Sequence, residues 1–416
     1  MFPLLAVCMI LRGQFLLGDH GERNHEQSTP QHLLWVADLR TAGYPGTVRS
    51  LPDIRLSFLT KDLLLVTFWS VENQDNPPSS PLRDLFLHAM VFDVSQGAIL
   101  SKVDWHFSES QWFALYPAHG GRFFFRLGKK LYLTTPDLAI SKEFELPSSG
   151  KPGEDWFVEE SASRKTLIIE NTFLDGFETK RMDAVSVERG IEHYRYRSQR
   201  RRRLYYALDT NDLTERARWE DIHPFKSASD NLLAVTGWPA DEWPLGDQVY
   251  VNAVGKALWR AIYRRPLKMF PGHPALLTDQ LLVLAGDGVK LLTTDGEVLF
   301  ADRQFSRNDL IGPDPLTAQD ASRFAVVVSK QRTPFLSDFS FDVSSRLIVY
   351  DVGLRARICD FALRYPVHWG MSWLGQHAAL SPSGSLLAYT SDGKIEVYEL
   401  PSKPSAPPTD RRADPN

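Results

Sequence analysis

Two cysteines in 416 residues, Cys8 and Cys359, rule out a disulfide framework as the source of stability and leave the compartment open. Long amphipathic helical patterns are also missing, which argues against an alternating β/α protein. The nearest candidates, around Leu213 to Asp221 and Gly255 to Arg265, are short. Neither a Gly-x-Ser-x-Gly elbow nor a Gly-x4-Gly-Lys-Ser/Thr phosphate loop occurs. The histidines, among them His88, His106, His119 and His377, are scattered without His-x-x-x-His or His-Glu-x-x-His spacing. The sequence therefore defines no metal site, no cofactor and no catalytic residue. Glu159-Glu160 and Asp241-Glu242 are adjacent acids whose side chains would face opposite sides of a strand, which does not suit paired acid and base work. A net charge of −4 gives no global pull toward nucleic acid or membrane.

Turn formers are plentiful, with 26 Gly and 27 Pro, and they punctuate short apolar runs. The clearest stretch is Ala379 to Leu400, ALSPSGSLLAYTSDGKIEVYEL. Ser381-Pro382-Ser383-Gly384 fits a turn, because Pro pre-sets its own backbone angle and Gly is free to take positive φ. Leu386 to Thr390 reads as a strand, Ser391-Asp392-Gly393 as a hairpin connection, and Ile395 to Leu400 as an alternating strand with Ile395 and Val397 inward and both Glu side chains toward water. A lone hairpin is marginal in water, so neighbours of the same kind are required.

They recur along the chain. Units start near Leu56, Phe113, Phe157, Phe225, Ala275, Ala318 and Ala379, a period of roughly fifty residues that suits four strands and their loops. The expected fold is all-β, a single β-propeller of seven blades, each a four-stranded antiparallel sheet. His32 to Leu39 (HLLWVADL) has no partner near it in sequence and is expected to pair with the C-terminal unit and close the ring, removing sheet edges that invite aggregation. The third unit is interrupted by a long basic insertion between Asn171 and Arg203.

The last unit resembles a WD-repeat or related bacterial propeller blade. SPSG-x-LLAY stands where that family has SPDG-x-x-LA, and VYEL stands where it often ends in Trp-Asp. The Gly-His dipeptide of the family is absent from nearly every unit, so its hydrogen-bonded tetrad is expected to be missing. The resemblance implies a propeller that serves as an interaction platform and carries no catalytic residue across.

Residues 1–18 form an apolar leader with the outline of a secretory signal core, 19–31 a polar linker, 32–401 the propeller and 402–416 a Pro-rich tail expected to be disordered. The leader favours a secreted or cell-envelope location, with the cytoplasm as the alternative.

Tyr194 to Tyr206, YRYRSQRRRRLYY, is the strongest chemical irregularity. Arg195, Arg197, Arg200, Arg201, Arg202 and Arg203, with Tyr194 and Tyr196 beside them, form a dense positive patch suited to phosphates, carboxylates or anionic sugars. The structural alternative is a long hairpin with solvated arginines. Trp238 and Trp243 bracket a loop with two aromatic faces, able to stack on a ligand or to wedge between blades. Two functions follow: a non-enzymatic platform binding a protein or anionic ligand through its loop face, or an exported propeller enzyme (hydrolase, lyase or oxidoreductase) with a channel-mouth site assembled from several blades.

Overall fold

The architecture is that of a computed structural model, which describes residues 32–44, 54–71, 84–108, 113–181 except 152, 195–264 except 222–223 and 237–247, 274–331 except 287, 307–308 and 313–314, 342–363, and 378–402 except 392. The first strand, β1 (His32–Asp38), leads into a single 3-10 turn, Leu39–Ala42. Blade 1 contains β2 (Arg55–Phe58), β3 (Leu63–Val71), β4 (Asp84–Asp93) and β5 (Ile99–Ser108). Blade 2 contains β6 (Phe113–Pro117), β7 (Phe123–Leu127), β8 (Lys130–Thr134) and β9 (Ile140–Glu145). In blade 3, β10 (Asp155–Glu160) and β13 (Glu215–Asp221) flank the long pair β11 (Thr166–Arg181) and β12 (Arg195–Asp209). Blade 4 is β14 (Ser227–Ala228), β15 (Leu232–Thr236), β16 (Gln248–Ala253) and β17 (Arg260–Arg264). Blade 5 is β18 (Pro274–Leu276), β19 (Leu281–Ala285), β20 (Val289–Thr293) and β21 (Val298–Asp302). Blade 6 has a split first strand, β22 (Asp309–Ile311) and β23 (Leu316–Thr317), both paired with β24 (Arg323–Gln331), followed by β25 (Asp342–Asp351) and β26 (Ala356–Leu363). Blade 7 is β27 (Ala378–Leu380), β28 (Leu386–Ser391) and β29 (Lys394–Glu399), with β1 outermost.

All pairings are antiparallel, and seven sheets form the ring expected from the repeats. The segments with short helical patterns are strands instead: Leu213 to Asp221 supplies β13 and Gly255 to Arg265 supplies β17. Packing between sheets outweighs a weak local preference there.

The ring closes through β1. It runs antiparallel to β29 from His32↔Glu399 to Asp38↔Lys394. Trp35 then ties blade 7 to blade 1: its ring stacks on Phe92 at 5.8 Å and 14°, and its Nε1 donates to the Val94 carbonyl at 2.6 Å. Behind this seam Phe58, Leu64, Val66, Phe68 and Met90 of blade 1 pack against Ala388, Ile395 and Val397 of blade 7. Full burial of each large apolar side chain is worth about 1.5–3 kcal/mol, so the seam is held by a core as well as by hydrogen bonds.

The turn glycines fall where the sequence puts them. Gly384 has φ +64°, and a Cβ there would meet Arg323 at 2.8 Å. One expectation fails. Glu396 is 3% exposed and accepts from the Tyr398 hydroxyl, whereas Glu399 faces water. Strict alternation assumes one wet face, but a blade sandwiched between two others buries both. Cys359 behaves as a small buried hydrophobe, and burial, helped by the nearby Asp360, pushes its thiol up to about 12.

Candidate functional site

The long pair in blade 3 has its origin in an imbalance of strand lengths. The inner strand β10 pairs with β11 only from Glu160↔Leu167 to Asp155↔Thr172, and the outer strand β13 pairs with β12 no further than Arg203↔Asp221. β11 and β12 continue together from Phe173↔Arg202 to Arg181↔Arg195, with a bulge between Leu174 and Phe177. At a strand rise of about 3.3 Å per residue, this two-stranded ribbon runs roughly 30 Å beyond the other strands of its blade. What reads in sequence as an insertion is thus mostly a continuation of the blade's central hairpin. Lys180, Arg181, Arg195, Arg197, Arg200, Arg201 and Arg202 lie on it against only Asp175 and Glu178. By the strand's period of two, positions 195, 197, 201 and 203 share one face of β12.

Of the predicted ligand residues, Arg202 and Arg203 have described side chains, while those of Arg195, Tyr196, Arg197, Arg200 and Arg201 lie outside the described set. Tyr194, Trp238 and Trp243 lie outside the described residues altogether. Arg202 pairs with Asp175 at 2.9 Å and Glu220 at 3.5 Å. Arg203 is held more deeply, its Nε donating to Glu170 at 2.8 Å with only 16% and 8% of the two side chains exposed. Glu170 also accepts from the Thr172 hydroxyl at 2.9 Å and the Tyr205 hydroxyl at 3.1 Å. Burial, and after it the Glu170 carboxylate, push the Tyr205 phenol well above its ordinary value, which keeps it a donor.

Arg203, Glu170 and Thr172 line a cavity of about 400 Å³ at the root of the ribbon. Its floor and rim come from β10 (Asp155, Phe157), β11 (Glu170, Thr172, Leu174), Arg203 and the connection into blade 4, Pro224-Phe225-Lys226. Phe157 is 43% exposed, pairs with Glu170 across β10 and β11, and meets the buried Phe225 edge-on at 6.0 Å, so apolar and charged groups lie side by side in the lining. Below the cavity Tyr205 stacks on Trp219 at 5.2 Å and 15°, and Trp259 donates to Asp221 at 2.7 Å. Trp219 and Trp259 therefore serve as wedges between blades 3 and 4. The sequence reading missed Glu170 and Thr172. An acid inside the apolar run TLIIEN was the available signal, because such a position demands a buried cation or donor.

The ring axis is organised differently. The turn after β10, Ser161 to Lys165, reaches blades that are not its neighbours. The Arg164 guanidinium donates to the Phe58 carbonyl of blade 1, and Gln319 of blade 6 donates to the Ser163 carbonyl at 2.8 Å. The same turn is tied to blade 4, where Asp230 accepts from Ser161 at 2.8 Å and Ser163 at 2.7 Å. Blades 1, 3 and 6 thus meet across the axis at that end. Beside Arg164, burial raises the Glu160 carboxyl above its ordinary value despite the guanidinium's opposing pull. Among the described residues no group of three or more His, Cys, Asp or Glu is arranged to hold a metal ion.

No protein-family model matches the chain, and no curated protein matches it either. Solved structures do. The WD40 domain of Pan2 from Neurospora crassa is 10% identical and aligns over 89% of this chain and 96% of its own, with a TM-score of 0.34. Oligogalacturonate lyase from Vibrio parahaemolyticus is 10% identical over 88% and 94%, with a TM-score of 0.49. The WD40 domain of SCAP from fission yeast is 8% identical over 88% and 98%, with a TM-score of 0.35. The chain is a seven-bladed β-propeller. Likeness at these identities concerns architecture alone, and chemistry has to be argued from the residues. No described helix is long and apolar enough to cross a membrane.

Proposed function

We propose that this propeller is a platform that captures an anionic partner, an acidic protein surface or a polyanion, on the β11–β12 ribbon and the cavity at its root. The observation that carries the reading is the basic ribbon itself, paired well past β10 and β13. Arginine forks suit carboxylate and phosphate oxygens, and a ribbon beyond the blade lets them reach a large partner. The cavity adds a place where one group of the partner can be enclosed, with Lys226, Arg203 and Phe157 in its lining. Arg203 anchors the ribbon through Glu170, and the outer arginines do the capturing. The leader of residues 1–18 favours a role outside the cell or in its envelope.

Retention on immobilised heparin tests this. Replacing Arg195, Arg197, Arg200 and Arg201 together with Ser lowers the salt concentration needed for elution, since each lost anion contact weakens the salt dependence. Unchanged elution of a folded quadruple variant counts against the proposal.

A further inference from the structure

Blade 1 holds a serine, a histidine and an aspartate in line, one on each of three adjacent strands. Ser70 Oγ lies 2.6 Å from His88 Nε2, and His88 Nδ1 lies 2.7 Å from Asp104 Oδ1. Asp104 as a carboxylate can only accept, so it fixes a proton on Nδ1, and in the neutral imidazole Nε2 is then bare and Ser70 is the donor to it. The register explains the alignment. Phe68, His88 and Asp104 form one cross-strand row, and Ser70, Phe86 and His106 form the next row on the same face. The imidazole is clamped from one side by buried Phe68 at 4.7 Å and 29°, and Tyr44 holds Phe68 edge-on at 5.4 Å. β2 pairs with β3 no further than Arg55↔Thr67, so among the described residues no strand covers the inner edge of the Ser70 row. Ser70 is half-buried and the Asp104 side chain is 46% exposed, which leaves the group open to small molecules.

From this geometry we infer that Ser70 is an activated nucleophile, and that blade 1 carries an acyl-transfer site for small carboxylic esters, beyond the platform role. A nucleophile bonded to a base that a third group orients is the arrangement that activates serine. Ser70 Oγ forms a bond to the ester carbonyl carbon as its proton passes to His88 Nε2. Collapse breaks the bond to the alkoxy oxygen, which leaves as the alcohol with that proton. Water then attacks the acyl-serine, His88 takes its proton and returns it to Ser70, and the carboxylic acid departs. Ester and water become acid and alcohol, with no other reactant. His88 is the base, and Asp104 is a positioning residue.

A fluorophosphonate probe, read by intact mass and peptide mapping, tests the inference on the full chain. A single adduct on Ser70 is expected, absent in Ser70→Ala. The labelling rate should fall on the order of 10²–10⁴-fold in His88→Gln, the range contributed by a general base. Asp104→Asn should slow labelling without moving the melting temperature, and Asp104→Glu should restore part of the rate. Ser70→Ala barely alters packing, so a misfolded histidine variant leaves the adduct site decisive. No adduct, an adduct on another residue, or equal rates in folded wild type and His88→Gln would overturn the inference. The four ribbon arginine substitutions should leave labelling unchanged, which separates this site from the platform reading.

Discussion

Replacing Arg203 with Ser should destabilise the propeller, whereas replacing the arginines farther out on the same strand should not. Arg203 meets Glu170 at 2.8 Å with both side chains largely enclosed. Its removal leaves a carboxylate served, among the described residues, by Thr172 and Tyr205. Breaking a buried ion pair by deleting one partner costs about 3–5 kcal/mol, and because the cavity admits solvent on one side and two neutral donors remain, about 2–3 kcal/mol is expected here. For a chain of this length that corresponds to a fall of roughly 3 °C in Tm. Adding Glu170→Gln removes the stranded charge and should recover at least half of the loss, a coupling read from the double-mutant cycle. The quadruple variant at Arg195, Arg197, Arg200 and Arg201 should stay within about 2 °C of wild type, as substitutions away from buried networks do. Thermal unfolding followed by circular dichroism decides the matter. If Arg203→Ser melts like wild type, or the double variant is no better than the single, the anchoring role is wrong.

Two further outcomes concern the frame around the site. Burial opposes ionisation of Glu154, yet hydrogen bonds from Ser149, Ser148 and Asn171 hold its carboxyl down to about 2. A carboxyl depressed in the folded state stabilises above its unfolded value near 4.5, and that stability is lost as pH falls toward 2. Discounted for solvent around the loop, about 1–2 kcal/mol should vanish between pH 4.5 and 2, and urea midpoints of Glu154→Gln should lack this component. Trp35→Ala removes both the stack on Phe92 and the bond to Val94. The side chain is only half-buried, so a loss of about 2 kcal/mol is expected, with hydrogen exchange rising first in β1 and β29. Exchange that rises elsewhere first would contradict closure through this seam.

Much of the ring was legible because turn chemistry is local. Pro382 and Gly384 set one turn and Gly393 the next, and the inferred unit starts at Phe113, Ala275 and Ala379 fall within a residue of β6, β18 and β27. The sixth unit begins earlier than its Ala318 suggests, since β22 and β23 share the work of one strand around a break that no period reveals. Glu396 was misread because strict alternation assumes that one face is wet throughout, and a blade set between two others buries residues on both faces. Within the site, the arginine run was visible as composition, but its division into anchor and ribbon was not. That division depends on where β10 and β13 stop pairing, which no local pattern in the sequence marks. His88 looked like one scattered histidine among many, because its partners stand 18 residues before it and 16 after it. Only the strand register brings them together.

The most direct test of the platform role is hydrogen–deuterium exchange of the full chain with and without a heparin oligosaccharide. Protection confined to residues 173–202 and the Pro224-Phe225-Lys226 connection is the predicted result, and it should disappear in the quadruple arginine variant. Protection at another face of the ring, or none at saturating oligosaccharide, would contradict the assignment of the β11–β12 ribbon as the capturing element.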